Sequence, residues 1–229
     1  MNTALFDLTR LVASSECLLC AEIEAPLCGA CLDHLERARG GCGRCGQPNV
    51  HPDAQECKWC RSLDVLGEDI FSFYVYRNEG SKLYQLVKYD GYWRLVHLLA
   101  REGLSDFYGS FDFRSYDGLV PIPESWKRKL TRHFNPADML ARSLSSLTGL
   151  PRLPLLGAHP LAKPQVGLSF EARRQNVRSR FHVKSKTIPP SVILVDDVLT
   201  SGATMASATH TLKAAGVKRV AWLSLFRTP

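Results

Sequence analysis

The chain has 229 residues, 45% of them apolar and 22% charged, with a formal net charge of +7. That length admits one substantial core plus a small satellite module, and no apolar run approaches the ~18 residues that a membrane span needs. The opening "MNTALFDLTRLVASS" is interrupted by Asp7 and Arg10 and lacks the continuous apolar block of a secretory leader, so the expected location is the cytoplasm.

The charge is unevenly spread. Residues 1–126 carry 12 Lys/Arg against 18 Asp/Glu, whereas residues 127–186 carry 13 against 2. An anionic partner is therefore expected to meet the 127–186 segment and to be repelled by what precedes it.

In chain order, the first feature is a Cys-rich module over residues 14–63. All eight cysteines fall in four CxxC pairs, Cys17/Cys20, Cys28/Cys31, Cys42/Cys45 and Cys57/Cys60. Two cysteines so spaced on a tight turn present both thiolates to one ion, and two such turns complete a tetrahedral four-sulfur site. Eight ligands imply two structural Zn2+ ions. Disulfides within CxxC would close small strained rings, and a cytoplasmic chain is kept reduced. The short gaps favour sequential sites, Cys17/Cys20/Cys28/Cys31 and Cys42/Cys45/Cys57/Cys60, although spacing alone also admits an interleaved arrangement. The module has few large apolar residues, so metal binding is expected to supply its folding free energy, roughly 10–16 kcal/mol for a structural site. Residues 1–68 hold 6 Lys/Arg and 10 Asp/Glu, a poor match to nucleic acid, and a structural or docking role is expected.

A second domain is expected over residues 70–229. "IFSFYVY" (70–76) alternates as a strand. "SKLYQLVKYDGYWRLVHLLAREGLSDFY" has helical spacing broken near Asp90-Gly91, and "YDGLVPIP" reads as a strand stopped by proline. "NPADMLARSLSSLTG" starts with an Asn-Pro cap and stops at Gly149. Residues 150–168, with four prolines and two glycines, read as a long loop, and "SFEARRQNV" as a short helix capped by Ser169. "SVILV" is a short buried strand, "ATMASATHTLKAAG" a helix stopped by Gly216, and "RVAWLSLF" is expected to close the sheet. Strands alternating with helices predict an α/β fold with a mainly parallel sheet.

The stretch "VILVDDVLTSGAT" carries the functional signal. Asp196 and Asp197 fall at the carboxyl end of a central strand, where open α/β sheets bind ligands. The loop that follows opens a helix, whose free N–H groups and positive dipole end suit an anion. Gly202 permits close approach, and Thr200, Ser201 and Thr204 add hydroxyl donors. No "GK[ST]" occurs, so this is not the lysine loop of nucleotide hydrolases. Carboxylates beside a phosphate site repel a second phosphate but accept well from a vicinal diol; a ribose 5-phosphate fits both demands.

This stretch resembles the signature of type I phosphoribosyltransferases. With the four CxxC pairs, "VPIP" (120–123), "KRKLTRHFN" (127–135), Gln165, "RRQN" (173–176) and Phe181, the chain from about residue 16 onward resembles the ComF competence protein family. It departs from that family's pattern at His133, Pro136 and Ala162.

The resemblance implies an N-terminal double zinc ribbon followed by a type I phosphoribosyltransferase-like domain. It implies that Asp196 and Asp197 accept from the ribose hydroxyls of phosphoribosyl pyrophosphate, that Thr200, Ser201, Gly202, Ala203 and Thr204 hold its 5-phosphate, and that Mg2+ bridges pyrophosphate and ribose. Lys127, Arg128, Arg132 and Arg173 are candidate pyrophosphate donors. It further implies a role in natural transformation, with single-stranded DNA and DNA-uptake or recombination proteins as partners. Three readings stay open at this level: a phosphoribosyl-transferring enzyme, a non-catalytic DNA-processing factor, and a sensor of the sugar pyrophosphate. Trp126, Phe134, Phe170 and Phe181 interleave the basic residues and could stack on bases, although core packing suits most of them better.

Overall fold

A computed structural model describes residues 16–22, 25–38, 41–42, 44–45, 47–48, 56–63, 67–105, 111–124, 134–159 and 180–229. Among them, strands β1 (Ile70–Val75), β2 (Leu119–Pro121), β5 (Ser191–Leu199) and β6 (Arg219–Arg227) form one sheet in the order β1-β6-β5-β2. Every pairing within it is parallel, with Ile70 opposite Trp222, Leu194 opposite Trp222 on the other side, and Val120 opposite Leu194. β6 is thus interior and does not close the sheet, as its sequence position suggested. Strands buried on both faces are apolar at successive positions, and "SVILV" is buried throughout.

β5 alternation divides the core. Ile193 and Val195 pack with Leu83 of α3 (Asn78–Tyr89), Leu99 of α4 (Arg94–Ser105) and Leu144 of α5 (Pro136–Thr148). Val192 and Leu194 pack with Met205, Ala208 and Leu212 of α6 (Ala203–Ala214) on the opposite face. The helix break near Asp90 is present, with Gly91 at φ 79°. α5 has the anticipated ends: the Asn135 side chain accepts from the Ala137 amide at 3.0 Å, Pro136 begins the helix, and Gly149 stops it at φ 78°.

Two further expectations need correction. The stretch read as a loop contains β3 (Leu156–Ala158), which pairs antiparallel with β4 (Phe181–Val183). Three residues are too few to show a period in sequence. β5 also continues beyond "SVILV" through both acids to Leu199, because Asp196, Val198 and Leu199 stay paired with Ser224, Phe226 and Arg227. The short helix expected at "SFEARRQNV" lies outside the described residues.

Among its described residues the cysteine-rich segment contributes two short helices, α1 (Gly29–Asp33) and α2 (Lys58–Arg61), and its buried side chains join the two clusters of the sheet. Cys17, Leu27, Cys28 and Leu35 join the apolar cluster containing Phe73 and Leu99, while Cys42, Cys45, Cys57 and Cys60 join the one containing Trp222 and Leu194. Residues 36–38 also run along the β1 edge, where Val75 N–H donates to Glu36 O at 2.8 Å and Ala38 N–H to Phe73 O at 3.0 Å. A segment poor in apolar bulk thus shares the core of the sheet and covers its exposed edge.

Candidate functional site

The described cysteines form two groups, Cys17/Cys20/Cys28/Cys31 and Cys42/Cys45/Cys57/Cys60, with the sulfurs of each within 4.8 Å of one another. This is the sequential grouping. In each, a short helix supplies the second pair, with Cys28 and Cys57 at the N-caps and Cys31 and Cys60 in the first turns. A tetrahedral ion with sulfur ligands at ~2.3 Å needs sulfur separations of about 3.8 Å. The observed values are 3.6 Å for Cys20–Cys28, 3.9 Å for Cys42–Cys60, and 3.8 Å for both Cys45–Cys57 and Cys57–Cys60. Both groups fit zinc and leave no protein-free ligand position. His34 takes no part; its ring bonds Ala30 O at 2.8 Å.

Backbone amides prepare some of these thiols for a metal. Burial acts to raise the Cys17 pKa, but the Cys28, Cys20 and Leu19 amides directed at its sulfur outweigh burial and bring it down to about 6. Cys42 is brought to about 7 in the same way, by the amides of Arg44, Cys45 and Cys57. Burial pushes the Cys45 thiol up, and the Arg227 guanidinium opposes that. Arg227, only 1% exposed, donates to Gln47 Oε1 at 2.8 Å, to Cys45 O at 3.0 Å and to Cys45 Sγ at 3.4 Å. A buried cation there offsets part of the negative charge of four thiolates around one dication. Sequence reading missed it; the only signal was an arginine ending an apolar strand.

Asp196 and Asp197 lie near the carboxyl end of β5, one of the two interior strands, where an open parallel sheet places a ligand site. Asp196 and Asp197 are half-buried. Asp196 Oδ1 accepts from the Asp197 amide and Asp197 Oδ1 from the Val198 amide, both at 2.9 Å. Alternation turns Asp197 toward α3, where the Tyr84 hydroxyl donates to its Oδ2 at 2.6 Å. Tyr84 was invisible in sequence, being one of several apolar-face residues of an amphipathic helix.

Beyond Leu199 the chain turns through exposed Thr200 and Ser201 into Gly202, whose φ of 74° puts it in the left-handed region before α6. Among the described residues, no carbonyl accepts from the amides of Ser201, Gly202 or Thr204, and the Ala203 amide meets only Ser201 Oγ, at 3.5 Å. Arg180 Nη1 approaches Thr204 Oγ1 at 3.5 Å, adding a cation beside these amides. Gly202 has a second reason to be glycine: a Cβ there would lie 2.7 Å from Trp59 Cζ2 and 2.8 Å from Leu63 Cδ1. The structure thus brings Asp196, Asp197 and residues 200–204 into one place. Lys127, Arg128, Arg132, Gln165 and Arg173 lie outside the described residues.

No protein-family model matches the chain. It is 28% identical over 201 residues to competence protein F of Haemophilus influenzae, covering 85% of this chain and 87% of that one. It is 27% identical over 220 residues to competence protein ComFC of Streptococcus pneumoniae, covering 93% of each. It is also 25% identical over 206 residues to DNA utilization protein YhgH of Salmonella typhimurium, covering 88% of this chain and 90% of the relative. The chain is a homologue of the ComF, ComFC and YhgH proteins.

Within this chain the cysteine-rich segment and the loop after β5 meet. Trp59, between Cys57 and Cys60, donates its indole N–H to Thr200 O at 3.0 Å. Chemically, the loop offers amides, hydroxyls and a nearby guanidinium to an anion, and two carboxylates to hydroxyl donors. No described helix is long and apolar enough to cross a membrane.

Proposed function

We propose that this ComF-type protein binds phosphoribosyl pyrophosphate with Mg2+ at residues 196–204 and acts in DNA uptake during natural transformation, handling incoming single-stranded DNA in the cytoplasm. The observation that carries the reading is that, among the described residues, no carbonyl accepts from the amides of Ser201, Gly202 or Thr204, which follow closely on two half-exposed carboxylates. The amides and the start of α6 take the 5-phosphate, with Thr200, Ser201, Ala203 and Thr204 completing the cradle. Asp196 and Asp197 accept from the ribose hydroxyls. Mg2+ would supply charge neutralisation to the pyrophosphate, with Asp196 and Asp197 acting on it through water or the ribose and not as a cage of protein ligands. Arg132 and Arg173 neutralise the pyrophosphate.

The names of the relatives, competence and DNA utilization proteins, support the DNA role. So does the concentration of 13 Lys/Arg in residues 127–186, which suits a phosphate backbone. Residues 14–63 serve as a zinc-bound support and docking module for the domain over residues 70–229. Where an acceptor base or amine is present, the C1–O bond to pyrophosphate breaks and the acceptor's nitrogen bonds to C1, with developing positive charge on the ribose stabilised electrostatically.

Calorimetric titration with phosphoribosyl pyrophosphate and Mg2+, repeated with a single-stranded oligonucleotide present, tests the reading. Saturable binding is expected, lost in the Asp196→Asn/Asp197→Asn variant, with steeply salt-dependent DNA binding that competes for the same cleft. Absence of saturable sugar pyrophosphate binding by the zinc-loaded protein overturns it. Sugar binding with pyrophosphate release but no DNA binding would instead identify a metabolic phosphoribosyltransferase.

A further inference from the structure

We propose that Trp59 is a positioning residue for loop 200–204, so that metal at the second cysteine group, and not at the first, holds the anion-binding amides in their open orientation. As it concerns ligand affinity, this inference rests on the sugar pyrophosphate reading; as it concerns loop geometry, it does not.

The coupling begins in the covalent chain. Trp59 lies in α2 between Cys57 and Cys60, both buried in the second group, so a metal gripping those two sulfurs fixes the backbone that carries the indole. From there the indole reaches the loop in two ways. Its N–H donates to Thr200 O at 3.0 Å. In a trans peptide the carbonyl and the following N–H point in opposite directions, so holding Thr200 O toward the indole turns the Ser201 N–H away from it, to the open side. The ring also presses on the next residue: Trp59 Cζ2 lies 2.7 Å from where a Cβ of Gly202 would stand. With Gly202 at φ 74°, the ring acts as a backstop for the turn that aims the amides.

The indole is itself held. The Arg227 guanidinium stands 4.3 Å from its ring centroid, while the same guanidinium bonds Cys45 O, Cys45 Sγ and Gln47 Oε1. Trp222 meets it edge-on, with centroids 6.4 Å apart, and donates its own N–H to Thr209 Oγ1 of α6 at 2.8 Å. Both the second cysteine group and the helix that begins at the anion site therefore clamp one side chain. Among the described residues the first group contacts instead the cluster containing Phe73 and Leu99. A CxxC turn needs no tryptophan between its cysteines to bind zinc. Its placement against the loop accounts for it.

The test uses the full zinc-loaded chain and nitrogen-15 NMR, in which the Trp59 indole N–H is assigned by its loss in Trp59→Phe. That variant keeps a ring against Gly202 and Arg227 but removes the donor, and it is expected to retain its zinc content and melting temperature. The 201–204 amides should shift and lose order, and affinity for phosphoribosyl pyrophosphate should fall about five- to tenfold, the effect of one lost hydrogen bond. Trp59→Ala, which also removes the backstop, should weaken binding further. Cys20→Ser in the first group should leave the Trp59 indole signal and the loop amides in place, and titration of the wild type with the sugar pyrophosphate should shift that indole signal. Unchanged 201–204 amides in both Trp59 variants would overturn the proposal. Altered loop amides in a wild type that binds no sugar pyrophosphate would uphold the positioning and sink the ligand reading instead.

Discussion

Gly202→Ala is the sharpest probe of the contact between the cysteine-rich segment and the acid loop, because a matched control exists in the same molecule. Gly202 and Gly149 have nearly the same backbone conformation, φ 74° and φ 78°. Left-handed geometry with a Cβ costs roughly 1–2 kcal/mol at either position. The loss of unfolded-state freedom returns about 0.4–1 kcal/mol at both. Around Gly149 nothing lies within 4 Å of an added Cβ, whereas at Gly202 the methyl would meet Trp59 Cζ2 at 2.7 Å and Leu63 Cδ1 at 2.8 Å. Trp59 cannot swing aside cheaply with Arg227 and Trp222 packed against it, so overpacking adds about 1–3 kcal/mol at Gly202 alone. Gly149→Ala should therefore destabilise by about 1 kcal/mol and Gly202→Ala by about 2–4 kcal/mol, out of a total of about 5–15 kcal/mol. Urea unfolding at fixed zinc concentration measures both. In a Trp59→Ala/Leu63→Ala background the excess at Gly202 should shrink, since the two changes share one contact. Equal destabilisation by the two glycine substitutions would refute the packing of the second cysteine group on the loop.

Three other outcomes follow from the same contacts. Arg227→Met should destabilise by about 3–5 kcal/mol and weaken zinc at the second group selectively, because it leaves buried thiolate charge uncompensated; metal release to a colorimetric chelator, followed stepwise, checks this. Chelation of both ions should remove the cooperative unfolding of residues 17–60 and expose the sheet surfaces they cover, seen as dye binding and as faster hydrogen exchange at Val75 and Ala38. Tyr74 gives a pH signature: burial pushes its phenol up to about 12, with Arg37 opposing. Its contribution is present below the unfolded value of ~10 and is lost as pH rises through 12, so melting temperature should decline over that range less steeply in Tyr74→Phe.

Much of the architecture was legible because its causes are local. Four CxxC spacings announce metal sites through the reach of adjacent side chains on a turn. Asn135-Pro136 and Gly149 mark the ends of α5 because capping and left-handed φ are settled within a few residues. The β3–β4 ladder was not legible, since three-residue strands carry no period. Nor was the place of β6: the last strand of the chain lies inside the sheet, and strand order depends on how crossovers return.

The acid pair, the hydroxyl-rich loop and the helix it opens were written in one continuous stretch, and elementary backbone chemistry led to the expectation of an anion site there. What stands around that stretch came only with folding. Tyr84 reaches Asp197 across 113 residues, Trp59 reaches Thr200 across 141, and Arg227 reaches Cys45 across 182. Contacts so distant along the chain leave no spacing to recognise, because parallel strands and a shared core, not neighbouring bonds, bring those side chains together.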